Sequence, residues 1–392
     1  MEYYIFSYKN VVIGGCELLI ERFSKRLKEL NKNVALLCNT IEPQMCERFK
    51  KSNIRVDILD AWNKEAVACY LSQFTDADVI AVTFFWKDYL LFQITNGNTK
   101  TLFYAVHYQS LCLAKKRSNF AGEITKKLAA KCIKSMTKRG CLLCMDEQTK
   151  EYTKNYYKFK SFNPSILRIS VVPAEIEDSL LHDRATQKEF NILAIARADF
   201  PFKGYLLGLL DWISEHEFDD DLSFTIISYG AGENILREKI ASLDKIKQRR
   251  IILIGKTDYD KLNSFYNKAK LYIGMGTTVI DAAQKGIIAI PVLPYTEKLV
   301  VGDFFYNDYR VLALDNLNDV QFKERIETVK RLSPDEYYSF EKLSRKLVVD
   351  NYSNNQIVDN LINHIKQIEV NKTHVFLRCL ELIYRLKSLC IL

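Results

Sequence analysis

Short apolar runs of four to six residues recur along the whole chain, and each is followed by a longer stretch with helical spacing. Examples are YYIFS at Tyr3–Ser7, NVALLC at Asn33–Cys38 and NILAIA from Asn191. Runs that are apolar throughout, rather than alternating, suit strands covered on both faces, and helical crossovers between them demand parallel pairing. The fold class is therefore α/β. Strands are expected near Tyr3–Ser7, Asn33–Cys38, Ile54–Ile58, Val79–Thr83, Thr101–Val106 and Cys141–Met145, with helices such as Glu17–Leu30 and Phe120–Lys138 between them. A second series follows: NILAIA from 191, FTIISY from 224, IILIG from 251, KLYIG from 270, IIAIPV from 287 and RVLAL from 310. Two series predict two Rossmann-like parallel-sheet domains facing a cleft.

The 392 residues are too many for one core at roughly 150 per domain, which agrees with that division. We expect an N-terminal domain over 1–185, a second over 186–350, and C-terminal helices over 351–392 that cross back. TQKEF, before Asn191, reads as the hinge, and a long helix is expected from about Asp335 to Ile368. At 48% apolar and 27% charged, with only 14 Gly and 7 Pro, the composition excludes a disordered or fibrous chain. No basic leader with a long apolar stretch opens it, and no run of 18 apolar residues follows, so export and membrane spanning are not expected. Ten cysteines at irregular spacing read as buried hydrophobes of a reducing, cytoplasmic setting. Cys141 and Cys144 form a CxxC, but residues three apart on a strand point to opposite faces, which disfavours a shared metal or disulfide.

The net charge of +8 is uneven. Residues 1–185 hold 28 Lys and Arg against 20 Asp and Glu, whereas the rest balances at 28 of each. From Lys115 to Lys160 there are 13 basic and 4 acidic residues. Such a run reads equally as a solvated helix face or as a patch for an anionic membrane surface, where each basic side chain is worth about 1 kcal/mol. It lacks a base-reading module, so nucleic acid is not an expected partner. From Val375 onward, Arg378, Glu381, Arg385 and Ser388 form one polar stripe on an otherwise apolar helix, suited either to a bilayer interface or to docking on the protein itself.

Open parallel sheets bind ligands beyond the carboxyl ends of their strands, so residues just after strands are the candidates. In the first half, Gly14 and Gly15 precede a helix and could offer amides to a phosphate. His107 follows TLFYAV, where it could donate to a sugar hydroxyl or take its proton. Phe84, Phe85 and Trp86 follow another strand and either stack on a sugar or fill core. Asp76 and Asp78 make a DxD whose place before a strand favours a turn role.

In the second half, ARADFPFKG places Arg197 and Lys203 on one loop, two cations suited to a departing diphosphate, with Gly204 opening the next helix. SYGAGE supplies Gly230 and Gly232, where bare backbone could approach a base or phosphate, and Lys256 follows IILIG. GMGTTVIDAAQKG supplies Gly276, the helix start at Thr277 and Thr278, and Asp281 one turn on, an acceptor for ribose hydroxyls or simply a favourable dipole contact.

This order of pieces resembles the GT-B glycosyltransferases of the group 1 or family 4 kind. GGCE, His107, the VVP segment, ARADFPFKG, SYGAGE, IILIGKTDYDKLNSFYNKAKLYIG and GMGTTVIDAAQKGIIAIPV span about residues 1–368 in family order. The resemblance implies that Arg197 and Lys203 clamp the donor diphosphate, Thr277 and Thr278 cap the phosphate site, Asp281 holds the ribose, and His107 lies near the transferred sugar. It implies a retaining, metal-independent enzyme with no cofactor beyond its UDP- or GDP-linked nucleotide-sugar substrate. Its acceptor would be a glycan or lipid-linked molecule, in bacterial cell-surface polysaccharide synthesis at the inner membrane face. Two glutamates eight positions apart are usual in that family. Here Asp281 stands at the second and Ile273 at the first, and Tyr108 follows the histidine. A degenerate partner subunit and a sugar-nucleotide epimerase are the alternative readings.

Overall fold

The computed structural model describes residues 2–60, 63–74, 78–95, 99–107, 109–112, 120–173, 175–217, 219, 221–313, 320–369 and 381–382. Tyr108, Asp76, Lys115–Arg117 and most of the striped C-terminal segment lie outside that set. The chain divides into two compact units, one of Met1–Ser170 with Asn354–Leu392, the other of Val171–Ser353.

Unit 1 is built on seven parallel strands: β1 (Glu2–Ser7), β3 (Asn33–Cys38), β5 (Arg55–Ile58), β6 (Asp78–Thr83), β7 (Lys100–Ala105), β8 (Leu142–Cys144) and β9 (Ser165–Ile166). Their order is β5-β3-β1-β6-β7-β8-β9. A small pair, β2 (Asn10–Val11) with β4 (Thr40–Ile41), extends beyond β1 and β3. The first helix, Gly15–Glu29, buries Leu19, Ile20, Phe23 and Leu27, one stripe at helical spacing. Asn354–Lys366 presents Ile357, Val358, Leu361 and Ile365 in the same way. The buried Asn354 amide donates to the Arg22 carbonyl (3.1 Å) and accepts from the Ser170 hydroxyl (2.8 Å), which ties that helix to the first one.

Unit 2 carries β10 (Phe190–Arg197), β11 (Leu222–Tyr229), β12 (Ile251–Ile254), β13 (Leu271–Gly274) and β14 (Ile288–Pro291), all parallel in the order β12-β11-β10-β13-β14. Both sheets step outward on one side of their first strand and then restart on the other, the doubly wound pattern. The order reverses beside β1 in unit 1 and beside β10 in unit 2. Those reversals select the carboxyl ends of β1 and β6, and of β10 and β13, as the natural crevices.

Several expectations need correction. The units part at Ser170–Val171, not near 185, and TQKEF is an internal turn of unit 2. The reason is helix Asp178–Thr186, whose Arg184 bonds Glu341 at 2.6 Å with both side chains fully buried. The same guanidinium donates to the Lys285 carbonyl at 3.1 Å, which locks the helix into unit 2. The single long helix expected over 335–368 is two, Pro334–Tyr352 and Asn354–Lys366, broken at Ser353. There the Tyr352 carbonyl accepts from the Val171 amide at 2.9 Å, so the two chain crossings are bonded side by side. RVLAL forms no strand over its described residues 310–313. Val311 and Ala313 make isolated bonds, to the Gly276 amide (2.9 Å) and the Val292 carbonyl (3.2 Å), instead of a ladder.

Candidate functional site

At the reversal point of unit 2, β10 and β13 are direct neighbours, with Ile192 opposite Leu271 and Leu193 opposite Tyr272. Being parallel, they release their following loops at the same edge. Buried Tyr272 fixes this edge by donating its hydroxyl to the Ile195 carbonyl at 3.2 Å.

The loop after β10 is folded on itself and on its neighbour. Ala198 donates its amide to the Tyr229 carbonyl (2.7 Å) and accepts from the Gly232 amide (3.0 Å), while the Lys203 amide donates to the Asp199 carbonyl (2.8 Å). Arg197, 43% exposed, holds Asp199 through a 2.6 Å ion pair. Lys203 lies over the Phe202 ring at 4.8 Å. Burial, and then the Arg197 charge, push its ammonium down to about 7 against the pull of Asp199. Two cations on one loop against the single carboxylate of Asp199, with Lys203 partly buried, form an anion-seeking arrangement. Gly204 starts helix Tyr205–Glu215 where any side chain would strike the Thr296 carbonyl, 2.5 Å from its Cβ position.

On the β13 side, Gly276 has φ +66°, a left-handed conformation that favours glycine, and nothing lies within 4 Å of where a Cβ would stand. It caps helix Thr277–Gln284 and its carbonyl accepts from the Val279 amide at 3.2 Å, while the amides of Thr277 and Thr278 lie ahead of the helical hydrogen-bond ladder at the positive end of the helix dipole. The Thr278 hydroxyl donates to the Met275 carbonyl at 3.1 Å, which leaves its lone pairs for an incoming donor rather than its proton for a phosphate. Asp281 is 4% exposed and accepts from Gln284 at 3.3 Å. Lys256 is exposed after β12, 5.9 Å from the Tyr229 ring centre. Ile273, at the place of a usual glutamate, is fully buried in β13.

Two glycine pairs serve the fold more than a ligand. At Gly232 a Cβ would lie 2.4 Å from the Phe200 ring, so the close approach expected toward a base is made to the chain itself. Gly230, at φ +117°, makes the turn that permits it. In unit 1, a Cβ on Gly14 would meet the Glu17 carboxylate at 2.6 Å. That negative group covers the helix start where Gly14 and Gly15 were expected to receive phosphate. Sequence inspection missed this, although an acid at the third helical position is the signal for it.

His107 lies just past β7, half-buried, and its Nδ1 accepts from the Gln109 amide at 3.1 Å. A neutral ring accepting at Nδ1 carries its proton on Nε2. That Nε2 atom is itself buried in this conformation. Phe84 and Trp86 are core at 3% exposure each, but Phe85 stands out at 38%. Cys141 and Cys144 are buried free thiols, pushed up by burial, Cys141 to about 11. Among the described residues no cluster of acids, cysteines and histidines is arranged for a metal, and no helix is long and apolar enough to cross a membrane.

Within the basic stretch, Lys126 sits over Tyr156 and Lys134 over Phe159, at 4.5 and 5.1 Å. Arg139 is buried against the Tyr89 hydroxyl, and Lys150 and Lys154 pair with Glu147 and Glu151. Much of its charge is thus engaged locally.

No family model and no curated protein matches the chain. Solved structures do. A glycosyltransferase from Rickettsia africae ESF-5 is 16% identical with a TM-score of 0.67, over 94% of this chain and 98% of that one. Anabaena Alr3699/HepE, in complex with UDP and glucose, is 9% identical with a TM-score of 0.66 over 93% and 100%. Sucrose-phosphate synthase from Thermosynechococcus elongatus is 11% identical with a TM-score of 0.64 over 94% and 99%. The chain thus has the two-sheet GT-B fold of these proteins.

Proposed function

We propose that the chain is a glycosyltransferase that draws a sugar from a nucleotide-sugar donor held on unit 2. One observation carries this reading: Arg197 and Lys203 lie on the loop after β10, and the helix at Thr277 opens from the loop after β13, the neighbouring strand at the reversal point of the sheet. The UDP and glucose named with Anabaena HepE support it, since a protein of the same fold binds those ligands.

In the proposed reaction an acceptor hydroxyl oxygen forms a bond to the anomeric carbon. The bond from that carbon to the distal phosphate oxygen breaks, its electrons leaving with the nucleoside diphosphate, and the hydroxyl proton is released to solvent. Charge grows on the departing phosphate. The Arg197 guanidinium, the Lys203 ammonium and the amides of Thr277 and Thr278 meet that charge without solvent rearrangement. Asp281 accepts from the ribose hydroxyls, and His107 lies near the transferred sugar.

We further assign metal-independent, retaining transfer to a glycan or lipid-linked acceptor in surface polysaccharide synthesis. The basic face of helix Phe120–Lys138 would approach anionic lipid. A second reading rests on Ile273: an apolar, buried residue there supplies no contact to the donor sugar, as a binding subunit without activity would have it.

Calorimetry with UDP and with GDP, followed by transfer assays on Arg197→Ala and Lys203→Ala, tests the proposal. Binding of one nucleotide and loss of transfer in both variants support it. Wild-type rates in both variants refute the diphosphate clamp, and a folded protein that binds neither nucleotide refutes the donor assignment.

A further inference from the structure

The amino edge of the unit 1 sheet, opposite the carboxyl crevices, carries a cavity of its own. It encloses about 370 Å³, within the range of small-molecule sites, and lies where β1, β3 and β5 begin. Val34 and Ile54, each 3% exposed, give it a buried apolar lining. Half-buried Tyr3 stands beside them, its ring packed on Phe74 at 4.4 Å. The remaining lining is cationic, from Lys28, Lys50 and Arg55.

The two lysines reach the cavity for one structural reason. Helix Gly15–Glu29, between β1 and β3, and helix Pro43–Lys51, between β3 and β5, both end in a left-handed asparagine, Asn31 at φ 57° and Asn53 at φ 53°. In the first, the Lys32 amide donates to the Leu27 carbonyl and the Asn31 amide to the Lys28 carbonyl, each at 2.9 Å. In the second, the Ile54 amide donates to the Phe49 carbonyl at 3.0 Å and the Asn53 amide to the Lys50 carbonyl at 2.9 Å. This paired closure brings a lysine to the same place in both last turns and caps the carbonyls with backbone amides, so neither ammonium is needed as a cap. A lysine there also complements the negative helix end, but that role requires no cavity.

Other charges on this edge engage one another: Lys32 with Glu2 at 2.6 Å, Arg26 with Glu29 at 3.1 Å and Lys51 with Glu47 at 3.9 Å. Arg55 bonds Asp57 through Nε at 2.8 Å, and Asp57 also accepts from the Tyr70 hydroxyl at 2.7 Å. Among the described residues Lys28 and Lys50 have no ion-pair partner. The lining thus carries three positive charges, of which one is paired.

We propose that this cavity binds a phosphate monoester on a small polar body, such as a sugar phosphate. Arg55 brings a planar guanidinium and the two lysines bring point charges, a combination suited to a dianion, while the body of the ligand lies against Tyr3. Six-residue β1 spans about 20 Å, so an occupant here is neither donor nor acceptor at the carboxyl crevices. Such binding does not depend on the transferase reading.

The test is calorimetric titration of the full chain with ribose 5-phosphate and with ribose, beside flotation with vesicles of phosphatidic acid in phosphatidylcholine. We expect ribose 5-phosphate to bind at least tenfold more tightly than ribose. The double variant Lys28→Met with Lys50→Met, and Arg55→Met alone, should each weaken it tenfold or more at unchanged melting temperature, while Arg197→Ala should bind it as the parent does. Vesicle binding that is lost in the same variants, without ribose 5-phosphate binding, supports the site and assigns its phosphate to a lipid headgroup. Ribose 5-phosphate binding that survives the double variant and fails in Arg197→Ala puts the anion on the donor loop and overturns the proposal. So does the absence of any ligand whose binding depends on Lys28 and Lys50, or a double variant that melts lower yet binds as before, which would make the lysines helix-end residues only. If UDP fails to bind while ribose 5-phosphate binds through Lys28 and Lys50, the donor reading falls and this site stands; the reverse result sinks this site alone.

Discussion

If the proposed donor site binds a diphosphate, Lys203 should make that binding proton-linked. Its ammonium is held down to about 7 by burial first and by Arg197 second, with Asp199 opposing. A diphosphate requires the charged form, so above about pH 7 binding must first supply a proton, and affinity should fall by up to about tenfold per pH unit. Between pH 6 and pH 8 the protonated fraction drops from roughly nine-tenths to one-tenth, a loss of about 1.3 kcal/mol in binding. UDP-glucose is the right probe, because both its phosphates are diesters, whereas the terminal phosphate of UDP itself titrates near pH 6. Isothermal titration from pH 6 to 9, in buffers of different ionisation enthalpy, should show weakening affinity with proton uptake.

Lys203→Arg cannot titrate in that range and should bind with a flat profile. Arg197→Met removes one of the charges that depress the lysine, so its midpoint should move upward even as affinity drops. For the unliganded protein the sign is opposite to that of binding. The folded pKa lies below the unfolded lysine value of 10.5, so the unfolded state binds more protons between about 7 and 10.5 and stability rises with pH across that window. A pH-independent affinity, or an identical slope in Lys203→Arg, would refute the reasoning.

Three other outcomes follow from packing and burial. Gly232→Ala must push back the Phe200 ring from 2.4 Å and should lower stability by about 1–3 kcal/mol, read as a shift of the urea midpoint at constant slope. Arg184→Met leaves Glu341 buried beside an apolar chain and should cost about 3–5 kcal/mol, whereas a loss below 1 kcal/mol would contradict the fully buried pairing. Cys69 is exposed and should react promptly with a thiol reagent, while Cys141 and Cys144 should react only on unfolding; fast labelling of either would show that their burial is misjudged.

Much of the sheet architecture was legible because a strand buried on both faces must be apolar throughout, and NILAIA or FTIISY can hardly serve otherwise. The convergence of Arg197 and Lys203 was legible for a related reason, since a loop that follows a parallel strand has only one edge of the sheet to occupy. What the sequence hid were matters of contact between distant residues. The unit boundary depends on Arg184 finding Glu341 across 157 positions, and nothing local to either marks it. The break at Ser353 depends on Val171, and RVLAL has the composition of a strand but, over its described residues 310–313, makes isolated bonds instead of a ladder. Glycine was ambiguous for the same reason. Gly276 leaves open space, whereas Gly232 and Gly14 are crowded by Phe200 and Glu17 of the same chain, and only coordinates separate these cases. His107 lies past its strand as its position in the sequence implies, but the bond of its Nδ1 to the Gln109 amide and the burial of its Nε2 depend on the folded loop.

The most direct measurement is a crystal structure of the chain grown with UDP-glucose. The diphosphate is expected within hydrogen-bonding distance of Arg197, Lys203 and the amides of Thr277 and Thr278. A diphosphate seated instead at Gly14 and Gly15, or touching neither the loop after β10 nor the turn at Gly276, would contradict it.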